Sequence, residues 1–142
     1  MFSKEESARL RKEFWTSFGK SYPRKWLRYN TKIKDLSLKF YADRKKAAVM
    51  IDIEMKDTSL RKAYFDNFLA LKNIFLTEIP ELVFDPEYYL ENGKKISRIY
   101  IELHQVSIHN KNSWTKIYKF FNEKMDKLEK VFLEYYDFIK TV

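Results

Sequence analysis

The chain has 142 residues, no cysteine, two glycines and a formal net charge of +8. Without cysteine it has no disulfide, thiolate metal site or cysteine nucleophile, and Gly19 and Gly93 lie too far apart to form a glycine-rich phosphate-binding loop. Because the sequence shows no secretory signal and no run of about 20 apolar residues, we expect a cytoplasmic protein without a membrane partner, folded as one domain over residues 1–142.

The first predicted element is a helix that begins at Ser3. Ser3 and Glu6 have the spacing of a capping box, in which each side chain accepts a backbone N–H of the other residue. Apolar side chains then recur every four residues, at Leu10, Phe14 and Phe18. This spacing predicts one apolar helix face, and we expect the helix to end just before Pro23.

A β-hairpin and a second helix are predicted next. Residues 36–42 and 49–55 alternate apolar and polar side chains on either side of a short polar turn, which is typical of two paired strands. From about Thr58 to Thr77, apolar residues recur at helical spacing around much of the circumference. This pattern predicts one largely buried helix.

The dipeptide Asn92-Gly93 predicts a second β-hairpin. It is the preferred sequence of a two-residue type I′ turn, in which both residues have positive φ. Counting outward from this turn puts Phe84 opposite Ile101 and Glu87 opposite Arg98. Apolar side chains then face apolar ones, and an acid faces a base, so the register is self-consistent.

The last segment, from about Asn112 to Lys140, predicts a long C-terminal helix. Its apolar residues are separated alternately by four and three positions, which is a heptad pattern. Two interpretations are open: the helix spans the whole sheet, or it projects and forms a homodimer with another copy of the chain. The complete element order is α-β-β-α-β-β-α, which predicts an α+β fold with an antiparallel four-stranded sheet packed against helices.

The positive charge is concentrated near the N-terminus. Residues 1–34 hold ten basic and three acidic residues, a net charge of +7 within the total of +8. Within this stretch, residues 20–34, which we name the basic segment, contain six basic residues and no acid. Tyr22, Trp26 and Tyr29 are interleaved with them. The charge is therefore a property of one segment rather than of the whole chain.

This composition favours contact with DNA or RNA. Basic side chains neutralise phosphates and release counterions, and exposed aromatic rings stack on bases. The candidate nucleic-acid-binding residues are Lys20, Arg24, Lys25, Trp26, Arg28, Tyr29, Lys32 and Lys34. The alternative is a solvated basic connector in which Trp26 and Tyr29 turn inward and complete the core.

A second interpretation concerns the first hairpin. An acid-x-lysine triplet such as Glu54-Met55-Lys56 is typical of restriction-endonuclease-like nucleases, in which carboxylates hold Mg²⁺ and the lysine stabilises the attacking water or the developing charge. The predicted register puts Asp35 opposite Glu54 and Ser37 opposite Asp52, so that one face of the hairpin carries four candidates: Asp35, Asp52, Glu54 and Lys56. The same side chains also fit the polar, solvated face of a half-buried hairpin.

Several stretches together resemble the bacterial domain of unknown function 4268 family. They are FWTSFG over residues 14–19, LSLKFYADRKKAAVMIDIE over 36–54, YFDNFLALK over 64–72 and ISRIYIELHQVSIHNKNSW over 96–114. The resemblance implies a compact α+β domain, which in larger relatives accompanies nuclease-like or DNA-linked regions. It implies no catalytic residue, metal or cofactor. We therefore expect a non-enzymatic binding module, with the nuclease-like site and the self-association domain as alternatives.

Overall fold

The computed structural model describes residues 2–142. Its helices and strands are α1 (Lys4–Ser21), β1 (Leu36–Ala42), β2 (Lys46–Ile53), α2 (Thr58–Ala70), α3 (Lys72–Glu78), β3 (Val83–Tyr89), β4 (Lys95–His104), a 3₁₀ turn (Lys111–Ser113), α4 (Trp114–Glu134) and α5 (Tyr136–Ile139). None of the helices in the described residues has the length and apolar character that crossing a lipid bilayer requires.

The four strands form one antiparallel sheet in the order β1-β2-β4-β3. The predicted α+β fold is therefore confirmed. The register predicted for the first hairpin is also confirmed, because Ser37 lies opposite Asp52. Next to it, the carbonyl of Asp35 accepts the backbone N–H of Glu54 at 2.8 Å.

One face of the sheet forms the core together with the helices. Phe14 of α1, Phe68 of α2 and Phe121 of α4 are fully buried in the same apolar cluster as Val49 and Ile51 of β2. The opposite face carries polar and aromatic side chains over a small apolar patch. Because successive residues of a strand point to opposite faces, the alternation in β2 separates the two surfaces.

The N-terminus of α1 has the predicted capping box. The N–H of Glu6 donates to Ser3 Oγ at 3.1 Å, and the N–H of Ser3 donates to Glu6 Oε1 at 3.4 Å. The helix ends at Ser21, two residues before Pro23, as the sequence predicts. These local signals position the start of the basic segment at the last turn of α1.

The single helix predicted over residues 58–77 is wrong, since α2 ends at Ala70 and α3 begins at Lys72. At the junction, the N–H of Leu71 donates to the carbonyl of Phe68 at 3.0 Å, a tighter turn than that of an α-helix. The break keeps both Leu71 and Phe75 buried against the core.

The C-terminal helix packs on the sheet against β1 and β2, and it is shorter than predicted. It starts at Trp114 after a 3₁₀ turn and ends at Glu134, and Tyr135 separates it from α5. After this break, the Tyr136 hydroxyl donates to the carbonyl of Thr31 at 2.8 Å. The heptad residues of α4 are buried within the chain, so the helix packs on the fold rather than projecting from it.

The predicted type I′ turn of the second hairpin is wrong. Only Gly93 of the pair has a positive φ, +85°, and the loop contains three residues closed by the N–H of Leu90 on the carbonyl of Lys94 at 2.9 Å. A bulge around Pro86, which has no N–H to donate to a sheet, shifts the register again.

The two shifts move the pairing of the second hairpin by two residues in total. Phe84 lies opposite Ile99, and Asp85, rather than Glu87, lies opposite Arg98. Because side chains alternate with a period of two along a strand, the shift leaves the predicted apolar and polar faces unchanged.

Candidate nucleic-acid interface

The basic segment is an ordered connection held to the fold by backbone hydrogen bonds. The N–H of Leu38 on the edge strand β1 donates to the carbonyl of Arg28 at 2.9 Å, and the N–H of Leu27 donates to Glu129 Oε2 at 2.6 Å. The buried Thr31 donates its hydroxyl to the carbonyl of Leu36 at 2.7 Å. These contacts fix the backbone that carries the predicted cations.

Left-handed backbone conformations shape the path of this segment. Arg28, Lys32 and Asp35 have φ values of 48°, 64° and 63°. Non-glycine residues adopt this region at a cost of about 1 kcal/mol or more, so the surrounding hydrogen bonds must hold them there.

Arg24 is bound within the protein rather than free on the surface. Its Nη1 donates to Asp126 Oδ1 at 2.6 Å and its Nη2 to Glu129 Oε1 at 2.7 Å, both on α4. Burial disfavours the charged guanidinium, but the two carboxylates outweigh it and raise the pKa of Arg24. A carboxylate pair therefore holds this cation in one orientation.

Trp26 is half-buried and packs into the aromatic core. Its ring lies nearly parallel to Phe18, with centroids 6.4 Å apart, and edge-to-face against Phe40 at 5.3 Å. The Arg24 guanidinium lies 4.0 Å from the centroid of the Trp26 ring, which is a cation–π contact. Trp26 follows the inward-facing alternative given by the sequence.

Tyr29 and the basic residues of the segment other than Arg24 face solvent. Tyr29 is 65% exposed, and Arg28 lies 5.5 Å from its ring centroid. No carboxylate oxygen of residues 2–142 lies within 4.0 Å of the side-chain nitrogens of the other five basic residues: Lys20, Lys25, Arg28, Lys32 and Lys34. The positive charge predicted for this segment is therefore largely uncompensated at short range.

The basic surface continues onto α1. Arg9, Lys12 and Lys20 line one shallow depression along this helix, together with Glu13, whose carboxylate is bound to Lys111. The charge count of residues 1–34 includes these residues, but it does not show that they lie on one face. The signal was their helical spacing, because residues three or four positions apart lie on the same face of a helix.

An aromatic cavity lies between α1, the basic segment and β1. It has a volume of about 360 Å³ and is lined by Trp15, Phe18, Gly19, Tyr22, Arg24, Trp26, Arg28 and Phe40. The rings come from three separate parts of the chain, so the sequence pattern gave no indication of the cavity. Its volume is within the range of about 300–1,000 Å³ that small-molecule sites occupy.

The nuclease-like candidates lie at the edge of a different surface, the open face of the sheet. Asp52 is fully buried and accepts Arg98 Nε at 2.7 Å and Nη2 at 3.0 Å. Lys39 Nζ lies 3.0 Å from Asp52 Oδ2 and 3.0 Å from Glu54 Oε2. Burial disfavours the Lys39 ammonium, but the two acids outweigh it and raise its pKa. Arg98 and Lys39 thus neutralise the carboxylates of Asp52 and Glu54.

The remaining two candidates of that alternative do not complete a metal centre. Asp35 is exposed in the turn just before β1, and its backbone carbonyl rather than its carboxylate is bonded to Glu54. Lys56 is exposed beyond β2. Across residues 2–142, no three His, Cys, Asp or Glu side chains come together as metal ligands. The carboxylates on the open face of the sheet form ion pairs with Lys39 and Arg98, as expected of a polar sheet surface.

A known protein family matches nearly the whole chain. The model of the family described as domain of unknown function (DUF4268) matches residues 10–136. The chain belongs to the DUF4268 family. No curated protein and no solved structure matches the chain. The DUF4268 match includes the basic segment, all four strands and α4, so the aromatic cavity lies entirely within the matched residues.

Proposed function

We propose that this DUF4268 domain is a cytoplasmic, non-enzymatic module that binds nucleic acid through the phosphates. The observation that carries the proposal is the group of five solvent-facing cations on the basic segment that have no carboxylate partner within 4.0 Å in residues 2–142. Unpaired lysine and arginine side chains neutralise phosphates and release the counterions condensed on the nucleic acid.

The fixed backbone of the segment supports the same proposal. Leu27 and Arg28 are held by hydrogen bonds to α4 and β1, so the cations project from a constrained chain. A preorganised surface loses less conformational entropy on binding than a flexible tail of equal charge. Tyr29 beside Arg28 adds an exposed ring next to the cations.

Arg24 and Trp26 have a different role in this proposal. The Arg24 guanidinium donates to two carboxylates, and Trp26 packs between Phe18 and Phe40. We assign neither residue a phosphate contact, since both support the surface and line the aromatic cavity beside it. The phosphate contacts go to the unpaired residues of the segment, with Arg9 and Lys12 as an extension along α1.

The test is a titration of fluorescently labelled DNA and RNA at several salt concentrations. We expect log affinity to fall linearly with log salt for both. The variant Lys25→Gln/Arg28→Gln/Lys32→Gln should bind more weakly to every sequence, and its salt slope should fall by about one for each phosphate that the variant no longer neutralises.

The matched control is Lys56→Gln/Lys72→Gln/Lys116→Gln, which removes the same charge from exposed positions outside the basic segment that also have no carboxylate within 4.0 Å in residues 2–142. If the slope depends only on total charge, the two triple variants will bind alike and the assignment to the basic segment is wrong. A salt-independent affinity, or no binding at low salt, would overturn the proposal itself.

A further inference from the structure

We propose that the aromatic cavity receives an unpaired base, so that the chain prefers single-stranded to duplex nucleic acid. This deepens the proposed function and rests on it. The cavity volume of about 360 Å³ and its aromatic walls suit a flat, uncharged ring system. Stacking on such walls is tolerant of sequence because every base has a π-face.

The walls of the cavity are fixed before any ligand arrives. Arg24 is held by Asp126 and Glu129 and in turn lies 4.0 Å from the Trp26 ring centroid. Trp15 is stacked on Phe121 with an interplanar angle of 5°. Rings that are already oriented by the core lose little freedom when a base enters, so more of the stacking free energy remains for binding.

A free cation lies at the same cavity. Arg28 lines it, has no carboxylate within 4.0 Å in residues 2–142 and is held in a left-handed conformation, with φ 48°, by the bond from Leu38. Lys25 is exposed directly before Trp26 in the chain. An apolar ring site beside unpaired cations is complementary to a nucleotide, whose base is uncharged and whose phosphate is an anion.

Only a single strand can present such a base at low cost. In a duplex each base is stacked and paired, and its removal costs a few kcal/mol. Duplex nucleic acid can still bind to the cations of the surface, since that contact involves the phosphates alone. The cavity therefore predicts strand preference on top of an electrostatic affinity.

Gly19 offers a direct test. It lines the cavity from within α1, and a Cβ added there would have no heavy atom within 4 Å. Gly19→Leu places a larger side chain at the cavity and replaces a poor helix former by a good one, so the fold is expected to survive. Gly19→Ala is the matched control, because it makes the same helix change with one methyl group.

Affinities are measured for a labelled single-stranded oligonucleotide and for the duplex of the same length, at the same salt concentration. Wild type should prefer the single strand by about tenfold, the effect of stacking one base. Gly19→Leu, shown to be folded by circular dichroism, should lose this preference and retain duplex affinity, while Gly19→Ala should retain both.

Two results would overturn the inference while leaving the proposed function intact. One is equal affinity of the wild-type protein for the two forms with a normal salt slope, and the other is an unchanged strand preference in folded Gly19→Leu. Failure to bind either form at low salt would instead overturn the proposed function, and the cavity inference with it.

Discussion

The backbone N–H of Leu27 donates to the carboxylate of Glu129 at 2.6 Å, across 102 positions of sequence. The same carboxylate accepts Arg24 at 2.7 Å, and its side chain is only 7% exposed. One buried acid on α4 thus satisfies both a backbone donor and a guanidinium of the basic segment. This arrangement connects the most basic part of the chain to the C-terminal helix.

Removal of Glu129 should loosen the basic segment and destabilise the fold. Glu129→Ala leaves the Leu27 N–H and one arm of Arg24 without their acceptor, and we expect a decrease of about 2 kcal/mol in the free energy of unfolding. Urea denaturation measures it, and Glu123→Ala, an exposed acid of the same helix, is the control. Equal decreases in the two variants would contradict the assigned role.

Asp52 should be the most sensitive acid of the sheet. Asp52→Ala leaves Arg98 and Lys39 without the carboxylate that both contact, and removal of one partner of a buried pair costs about 3 kcal/mol or more. Asp66→Ala removes the acid of an exposed i,i+4 pair with Lys62 and should cost less than about 0.5 kcal/mol. Denaturant midpoints of the two variants provide the comparison.

Tyr41 should titrate well above an ordinary tyrosine. Its hydroxyl donates to Asp43 Oδ2 at 2.7 Å, and this bond, together with burial and the charge of Asp43, raises the pKa of Tyr41 from 10.0 to about 12. The resulting stabilisation is fully present below pH 10 and disappears as the pH rises toward 12. Tyrosinate absorbance of wild type minus Tyr41→Phe isolates this group, and Asp43→Asn should return its pKa toward 10.

The chain should be a monomer in solution. The heptad residues of α4, among them Met125, Leu128 and Phe132, are buried against the sheet and the other helices, so the predicted seam is not free to pair with a second copy. Light scattering at high micromolar concentration should give a mass near 17.4 kDa. A mass twice as large would favour the homodimer, with the exposed Leu133 and Phe138 as the first residues to substitute.

Where the structure departs from the sequence prediction, the cause is a contact between distant residues or a backbone irregularity. The long helix patterns break at Leu71 and Tyr135, where turns keep Phe75 buried and bring Tyr136 to Thr31. The second hairpin gains a loop residue and a bulge at Pro86. Hydrophobic spacing reports which faces are apolar, but it does not report where the chain must bend to pack them.

For the candidate site, the number and the position of the charges follow from the sequence without a structure. Ten of the first 34 residues are basic, and none of the three acids in that stretch lies within residues 20–34. The α+β order, the capping box of α1 and the first hairpin register also follow from local spacing, because each depends on residues that are near one another in the chain.

Which of those charges are free depends on how the whole chain packs. Arg24 lies 102 and 105 positions from the acids that bind it, and Lys25, one residue later, has no carboxylate within 4.0 Å in residues 2–142. The aromatic cavity likewise joins α1, the basic segment and Phe40 of β1. Short-range electrostatics and stacking depend on distances in space, and tertiary packing sets those distances.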